Sequence, residues 1–295
     1  MRAFIGNSLH SIGKPLADDD AYYRNKIAVI TGASSGIGRA IAMELAIRGA
    51  KVVLASRNEK KLVELKAIIE SQGGYASVFQ VDVTHEEECK ALVESTAETF
   101  GKIDILINNA GISMHANFSE VDMDVLHRVM DTNFWGSVYC SRYALPYLLQ
   151  ARGSIVGISS ISGVTPLPGR SGYSASKHAL DGFFESLRLE NLENRLHIML
   201  VHPGYTASEI RKKALDKNGQ PQEISPLDER KLMPAEKVAR EVVYGIALKR
   251  RDIILTREGK VITWIYRRSP VVADKLIIRD KQFKPLSNPL KFWKM

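Results

Sequence analysis

Tyr173 and Lys177 stand four residues apart in this 295-residue chain. On a helix that spacing brings both side chains to one face. A free phenol, with a pKa near about 10, exchanges protons poorly at neutral pH. A nearby ammonium favours phenolate and lowers that value. Such a pair can give a proton to oxygen as hydride reaches a carbonyl carbon, or take it back. The same spacing also suits an exposed polar pair on a surface helix. Ser159 and Ser160 follow an apolar run at 154–158. A hydroxyl there can donate to an oxygen on which negative charge is building. Thr31-Gly32-Ala33-Ser34-Ser35-Gly36-Ile37-Gly38 joins an apolar run to a helical pattern. Glycines in that context allow a tight turn and the close approach of a pyrophosphate, which a helix N-terminus attracts. The alternative is a merely flexible turn, and the spacing departs from G-x-G-x-x-G.

The elements that must position these groups alternate regularly. Apolar runs at 27–31, 51–55, 78–81, 103–107, 154–158 and 196–201 read as strands. Helical patterns fall between them at 39–48, 59–70, 86–99, 124–149 and 174–192. Strands that are apolar on both faces, alternating with helices, specify a parallel sheet wrapped on both sides. The expectation is an α/β fold with one doubly wound domain over residues 25–250, preceded by an arm at 1–24. A charged, turn-rich stretch at 205–233 follows the last strand and reads as a substrate lid, because ligands bind beyond the carboxyl ends of such sheets.

Six spaced elements together resemble the short-chain dehydrogenase/reductase family over roughly residues 25–250. They are Thr31-Gly32-x-x-x-Gly36-x-Gly38, Asn108-Asn109-Ala110-Gly111, Asn133, Ser160, Tyr173-x-x-x-Lys177 and Pro203-Gly204. The resemblance implies a Rossmann-type fold and a nicotinamide cofactor. It also selects Ser160 over Ser159, since the family's serine lies thirteen residues before the tyrosine. Tyr173 is then the acid/base and Ser160 orients the carbonyl. Lys177 tunes the phenol and grips the nicotinamide ribose, and Asn133 holds a relay water. Gly32, Ser34, Ser35, Gly36, Ile37 and Gly38 would cradle the cofactor, and Asp82 and Val83 would border its adenine. Asn109, Ala110 and Gly111 would lie along it, and Pro203, Gly204, Tyr205 and Thr206 would approach the nicotinamide. The stretch from Tyr173 to Phe184 is similar to family members acting on steroids and other lipid-like carbonyls.

The second strand ends in Ser56-Arg57, with no acid to accept from two free ribose hydroxyls. Ser56 and Arg57 can hold a 2′-phosphate instead, so NADP(H) is expected over NAD(H). Met114, Phe118, Ile161, Leu167 and Tyr205 read as lining an apolar substrate pocket or as packing.

Composition bounds the rest. With 45% hydrophobic and 25% charged residues the chain is neither disordered nor collagen-like. The net charge of +8 is a tail property: residues 249–295 carry +9 and the remainder −1. Nucleic acid is therefore not an expected partner. The basic extension at 251–295 mixes Trp264, Ile265, Tyr266, Val271, Val272, Leu276, Ile277 and Ile278 with cations. This suits either a membrane interface or packing on the protein, with a break at Pro270. Two distant cysteines, no apolar run of membrane-spanning length and no secretory pattern point to a cytoplasmic protein. No histidine spacing suggests a metal, and no G-x-S-x-G elbow suggests a hydrolase. A small carbonyl or alcohol is the expected substrate and a homodimer or homotetramer the expected assembly. A non-catalytic NADP-binding regulator, or an epimerase or dehydratase on the same fold, is the alternative.

Overall fold

The computed structural model describes residues 19–223, 228 and 232–279. Seven strands run parallel: β1 Ile27–Thr31, β2 Lys51–Ser56, β3 Tyr75–Gln80, β4 Ile105–Asn108, β5 Ser154–Ile158, β6 His197–His202 and β7 Asp252–Ile254. Their order is β3-β2-β1-β4-β5-β6-β7, so the winding reverses between β1 and β4. That reversal opens a crevice beyond the strand ends, where doubly wound sheets bind ligands. Ile30 lies beside Leu54 on one side and Ile107 on the other, which brings the Gly32 and Asn109 loops to the same edge.

Side chains alternate along each strand and feed two cores. Ala28, Ile30, Leu54 and Val156 pack under α2 Gly36–Ile47, α3 Glu59–Ser71 and α8 Ala235–Ala247. Ile27, Val29, Leu106 and Ile155 pack under α4 Glu86–Phe100, α6 Gly136–Ala151 and α7 Ser171–Glu190. Burial on both faces explains why these strands are almost wholly apolar.

The helix expected over 124–149 is divided. α5 Met123–Met130 passes through a π turn at Asp131–Trp135 before α6 begins. The wider turn carries Asn133 inward, where it is 0% exposed.

The domain limits also shift. Short helix α1 Asp19–Tyr23 lies in the predicted arm, yet Tyr23 is fully buried and its hydroxyl donates to the Val243 carbonyl. Strand β7 belongs to the sheet although it lies beyond residue 250. Past it, α9 Arg257–Arg268 is capped by Thr256, whose Oγ1 accepts from Gly259 N at 3.0 Å. Pro270 opens α10 Pro270–Arg279, the break expected there, because a proline tolerates only the first turn. No helix among the described residues is long and apolar enough to cross a membrane.

Candidate active site

At the carboxyl edge of the sheet, one cleft of about 1210 Å³ runs from the glycine loop to Tyr173. Thr31 organises its entrance. Its Oγ1 donates to the Ile107 carbonyl at 3.3 Å and accepts from the N–H groups of Asn109 and Ala110 at 3.0 and 3.1 Å. The Asn109 amide donates to the Thr31 and Gly32 carbonyls at 2.9 and 3.2 Å. Side chains thus lock the two loops together and leave the first turn of α2 facing the cleft, with no side-chain cap from Ser35. Uncapped N–H groups at a helix start suit a pyrophosphate.

The glycines divide by cause. Gly36 adopts φ +54° and lines the cleft, where a side chain would approach Ser208. Gly38 does not line the cleft. A Cβ there would strike the Gly32 carbonyl and the Asn109 amide, so its smallness serves the packing of the loop itself. Among the other expected cofactor contacts, Gly32, Ser34, Ser35, Ile37, Ser56, Arg57, Asp82, Val83, Asn109, Ala110, Gly111, Pro203, Gly204, Tyr205 and Thr206 all line the cleft. Lys61, Ile112, Thr132 and Lys237 line it too, without a motif to flag them.

At the β2 end, Arg57 is 67% exposed and lies 3.6 Å from Asp82. Burial pushes the Asp82 carboxyl up, but two bonds from Thr84 and the Arg57 charge outweigh it and hold the group below its ordinary value. Asp82 is therefore ionised, and its pair with Arg57 is exposed and costs little to break.

Ser160 and Tyr173 meet at the other end. Ser160 caps the short turn Ile161–Gly163 by accepting from Ser162 N at 3.1 Å. Burial raises the Tyr173 phenol, against a bond from Ser160 and the positive fields of Arg170 and Arg211. Lys177, from the same helix, faces the Tyr173 ring. Its Nζ donates to the Ile158 carbonyl at 2.8 Å and lies 5.9 Å from the Tyr173 ring centre. Burial brings Lys177 itself down to about 8, despite the opposing field of Asp181.

Asn133 stands behind the cleft wall, beside Lys177 at Gly111. It does not line the cleft. Its Oδ1 accepts from Ile112 N at 2.8 Å, and its Nδ2 donates to Ile112 O and Ser176 Oγ at 3.0 and 2.9 Å. The side chain thus braces the wall behind Gly111. Ile161, Leu167 and Tyr205 line the cleft as one of the two readings has it. Met114 is instead core, packed with Val125 and Leu215 against Tyr173, and Phe118 is exposed on a shallow neighbouring depression. His202 is buried 3.0 Å from Asp181, and the exposed His178 bonds the Ser174 carbonyl of its own helix at 2.8 Å.

The predicted lid crosses this end. Leu215 exchanges backbone bonds with Ser113 and His115 at 2.9 and 2.8 Å, which ties the described part of the lid to the wall. Residues 224–227 and 229–231 of it lie outside the described residues, as do 1–18 of the arm and 280–295 of the basic extension.

This fold and cleft define a dinucleotide-binding α/β protein. The family model for short chain dehydrogenase matches residues 26–219, and the chain belongs to that family. Over 204 residues it is 42% identical to "11-beta-hydroxysteroid dehydrogenase 1A" of Arabidopsis thaliana, covering 68% of this chain and 58% of that protein. Over 241 residues it is 37% identical to "Dehydrogenase/reductase SDR family member 7B" of Mus musculus, covering 80% and 75%. A short-chain dehydrogenase/reductase of Burkholderia phymatum, solved with NAD, superposes with a TM-score of 0.75 at 25% identity, covering 85% and 95%. An alcohol dehydrogenase of Thermococcus sibiricus, solved with 5-hydroxy-NADP, shares the fold at a TM-score of 0.70 and 24% identity, covering 79% and 96%.

Proposed function

We propose that the chain is an NADP(H)-dependent oxidoreductase that interconverts a carbonyl and a secondary alcohol on an apolar, steroid- or lipid-like substrate. The observation that carries this reading is the placement of Ser160, Tyr173 and Lys177 at one end of the cleft whose other end is the glycine loop. A nicotinamide, when bound, supplies or accepts the hydride. Tyr173 is then the acid. Its raised pKa keeps the phenol protonated at neutral pH, so that it delivers its proton as the substrate oxygen becomes an alkoxide. Ser160 stabilises that oxygen by hydrogen bonding. Lys177, held by the Ile158 carbonyl, is positioned to meet a ribose hydroxyl and to restore the Tyr173 proton.

The choice of NADP(H) rests on Ser56 and Arg57 at the end of β2. Arg57 leaves Asp82 for a 2′-phosphate, a doubly charged and better partner. Arg57→Asp is expected to reduce the NADPH to NADH preference in kcat/KM by about 10-fold or more, since it removes one charge-assisted contact and adds repulsion. A wild-type protein that already prefers NADH contradicts the assignment.

An apolar substrate is supported by Leu167, Ile262, Leu276 and Ile277 in the cleft wall. The last three come from α9 and α10, whose outer faces leave Trp264 62%, Val271 65% and Ile278 61% exposed beside Arg267, Arg268 and Lys275. Interleaved apolar and cationic groups suit an anionic membrane surface at the mouth of the cleft. Flotation with vesicles containing phosphatidylserine is expected to recover the protein at low salt. Recovery should fall with added salt and in the double variant Trp264→Ser, Val271→Ser. Absence of binding at low salt leaves the pair with only its packing role.

A further inference from the structure

Two cations from different elements converge on one oxygen of a lid carboxylate. Lys61 Nζ, in the first turn of α3, lies 3.5 Å from Glu209 Oε2. Lys213 Nζ, from the lid itself, donates to the same oxygen at 2.5 Å. All three residues line the cleft, as do Ser56 and Arg57 at the end of β2. The same stretch of lid also touches the glycine loop, since a Cβ on Gly36 would lie 3.3 Å from the Ser208 Cβ. The bond from Lys213, helped by the Lys61 charge, holds the Glu209 carboxyl below its ordinary value, so it is ionised at neutral pH. None of the three is deeply buried: Lys61 is 41%, Glu209 45% and Lys213 61% exposed. Ion pairs this exposed hold weakly and exchange partners readily.

A phosphate monoester carries nearly two charges and three acceptor oxygens, more than a carboxylate offers two ammonium groups. The pyrophosphate of a dinucleotide has its own place at the start of α2. Lys61 stands instead four positions after Arg57, on the helix that follows the β2 end. We infer that Lys61 and Lys213 form a second cation pair for the 2′-phosphate of NADP(H), and that Glu209 stands in for that phosphate until the cofactor arrives. When the phosphate displaces Glu209, Lys213 stays on the anion and holds the lid to α3. The lid then closes in response to the 2′-phosphate and not to a dinucleotide in general. Cofactor choice and lid closure become one event. This inference rests on the NADP(H) reading and deepens it, and it is testable without turnover.

The test titrates the full chain with NADP+ and with NAD+ in a calorimeter. Lys61→Gln and Lys213→Gln are each expected to weaken NADP+ by about tenfold, the value of one charge-assisted contact, and to leave NAD+ unchanged. Glu209→Gln should do the opposite. It should tighten NADP+ by about two- to fivefold, because the phosphate no longer has a carboxylate to displace, again with NAD+ unchanged. A second arm reads the lid by its rate of tryptic cleavage after Lys212 and Lys213. At equal saturation, 2′,5′-ADP should slow cleavage there and 5′-AMP should not. Protection that is the same with both fragments, or absent with both, overturns the coupling of phosphate to lid. So does a variant that loses NADP+ and NAD+ in parallel, which would place its side chain on the part of the dinucleotide that the two share. A wild type that prefers NADP+, with a preference unmoved by all three substitutions, overturns the second cation pair and leaves the NADP(H) reading standing. A wild type that binds NAD+ as tightly as NADP+ overturns that reading, and the cation pair with it.

Discussion

Tyr173→Phe is expected to lower kcat by about 10²–10⁴-fold while NADPH still binds. The substitution removes one oxygen and keeps the ring that packs against Met114 and Val125, so the wall of the cleft stays in place. What disappears is the hydroxyl that Ser160 bonds and that, in the proposed function, gives its proton to the substrate oxygen. Steady-state NADPH consumption, paired with a fluorescence titration of NADPH, separates the two effects. A variant that keeps a tenth or more of the wild-type kcat contradicts the acid role.

Lys177→Met is expected to eliminate turnover and, in the cofactor-free protein, to raise stability. Burial brings Lys177 from 10.5 to about 8, with Asp181 offsetting only part of the effect. At about 1.4 kcal/mol per unit, the buried ammonium costs the fold on the order of 3 kcal/mol. The sign follows from the proton count. The unfolded chain holds this proton to higher pH than the folded one, so the cost is fully present below about pH 8. It fades as the pH rises and is gone above about pH 10.5. Methionine matches the aliphatic stem but leaves the Ile158 carbonyl without its 2.8 Å donor. That loss returns about 1–2 kcal/mol, for a net gain on the order of 1–2 kcal/mol at pH 7. Denaturant melts of both proteins at pH 7 and 10.5 check it, because other titrations cancel between them. A methionine variant less stable at pH 7 contradicts the picture of a desolvated charge held in place for function.

Much of the fold was legible because burial on both sides of the sheet leaves an unmistakable composition. The strands over 27–31 and 154–158 are found at the residues expected, and the expected helices are present, the one over 124–149 in two parts. The third strand begins earlier than its apolar run, at Tyr75, because its edge position leaves several residues half exposed. β7 escaped because three residues, Asp252 to Ile254, are too few for any period to show. The π turn at Asn133 escaped because one extra residue in a turn hardly disturbs a hydrophobic stripe.

Motifs located the site but not the job of each member. Gly38 and Asn133 belong to the family pattern; the first packs the loop and the side chain of the second braces the wall behind Gly111. Spacing placed Lys177 on the same helix face as Tyr173, but it could not show that the ammonium also bonds a β5 carbonyl. Arg170 and Arg211 had no sequence signal at all, since they lie in irregular segments 41 positions apart and both come near Tyr173 only through the fold.

The central claim, hydride exchange with a substrate held at Tyr173, is tested most directly by isotope transfer. The full chain is incubated with NADPH deuterated at either face of C4 and with ketones ranging from steroids to long-chain keto acids. The alcohols formed are weighed by mass spectrometry. The predicted result is deuterium at the carbinol carbon from one face only, reduced at least about 10²-fold in rate by Tyr173→Phe. NADPH that binds in the cleft but passes no deuterium to any of these ketones would contradict it.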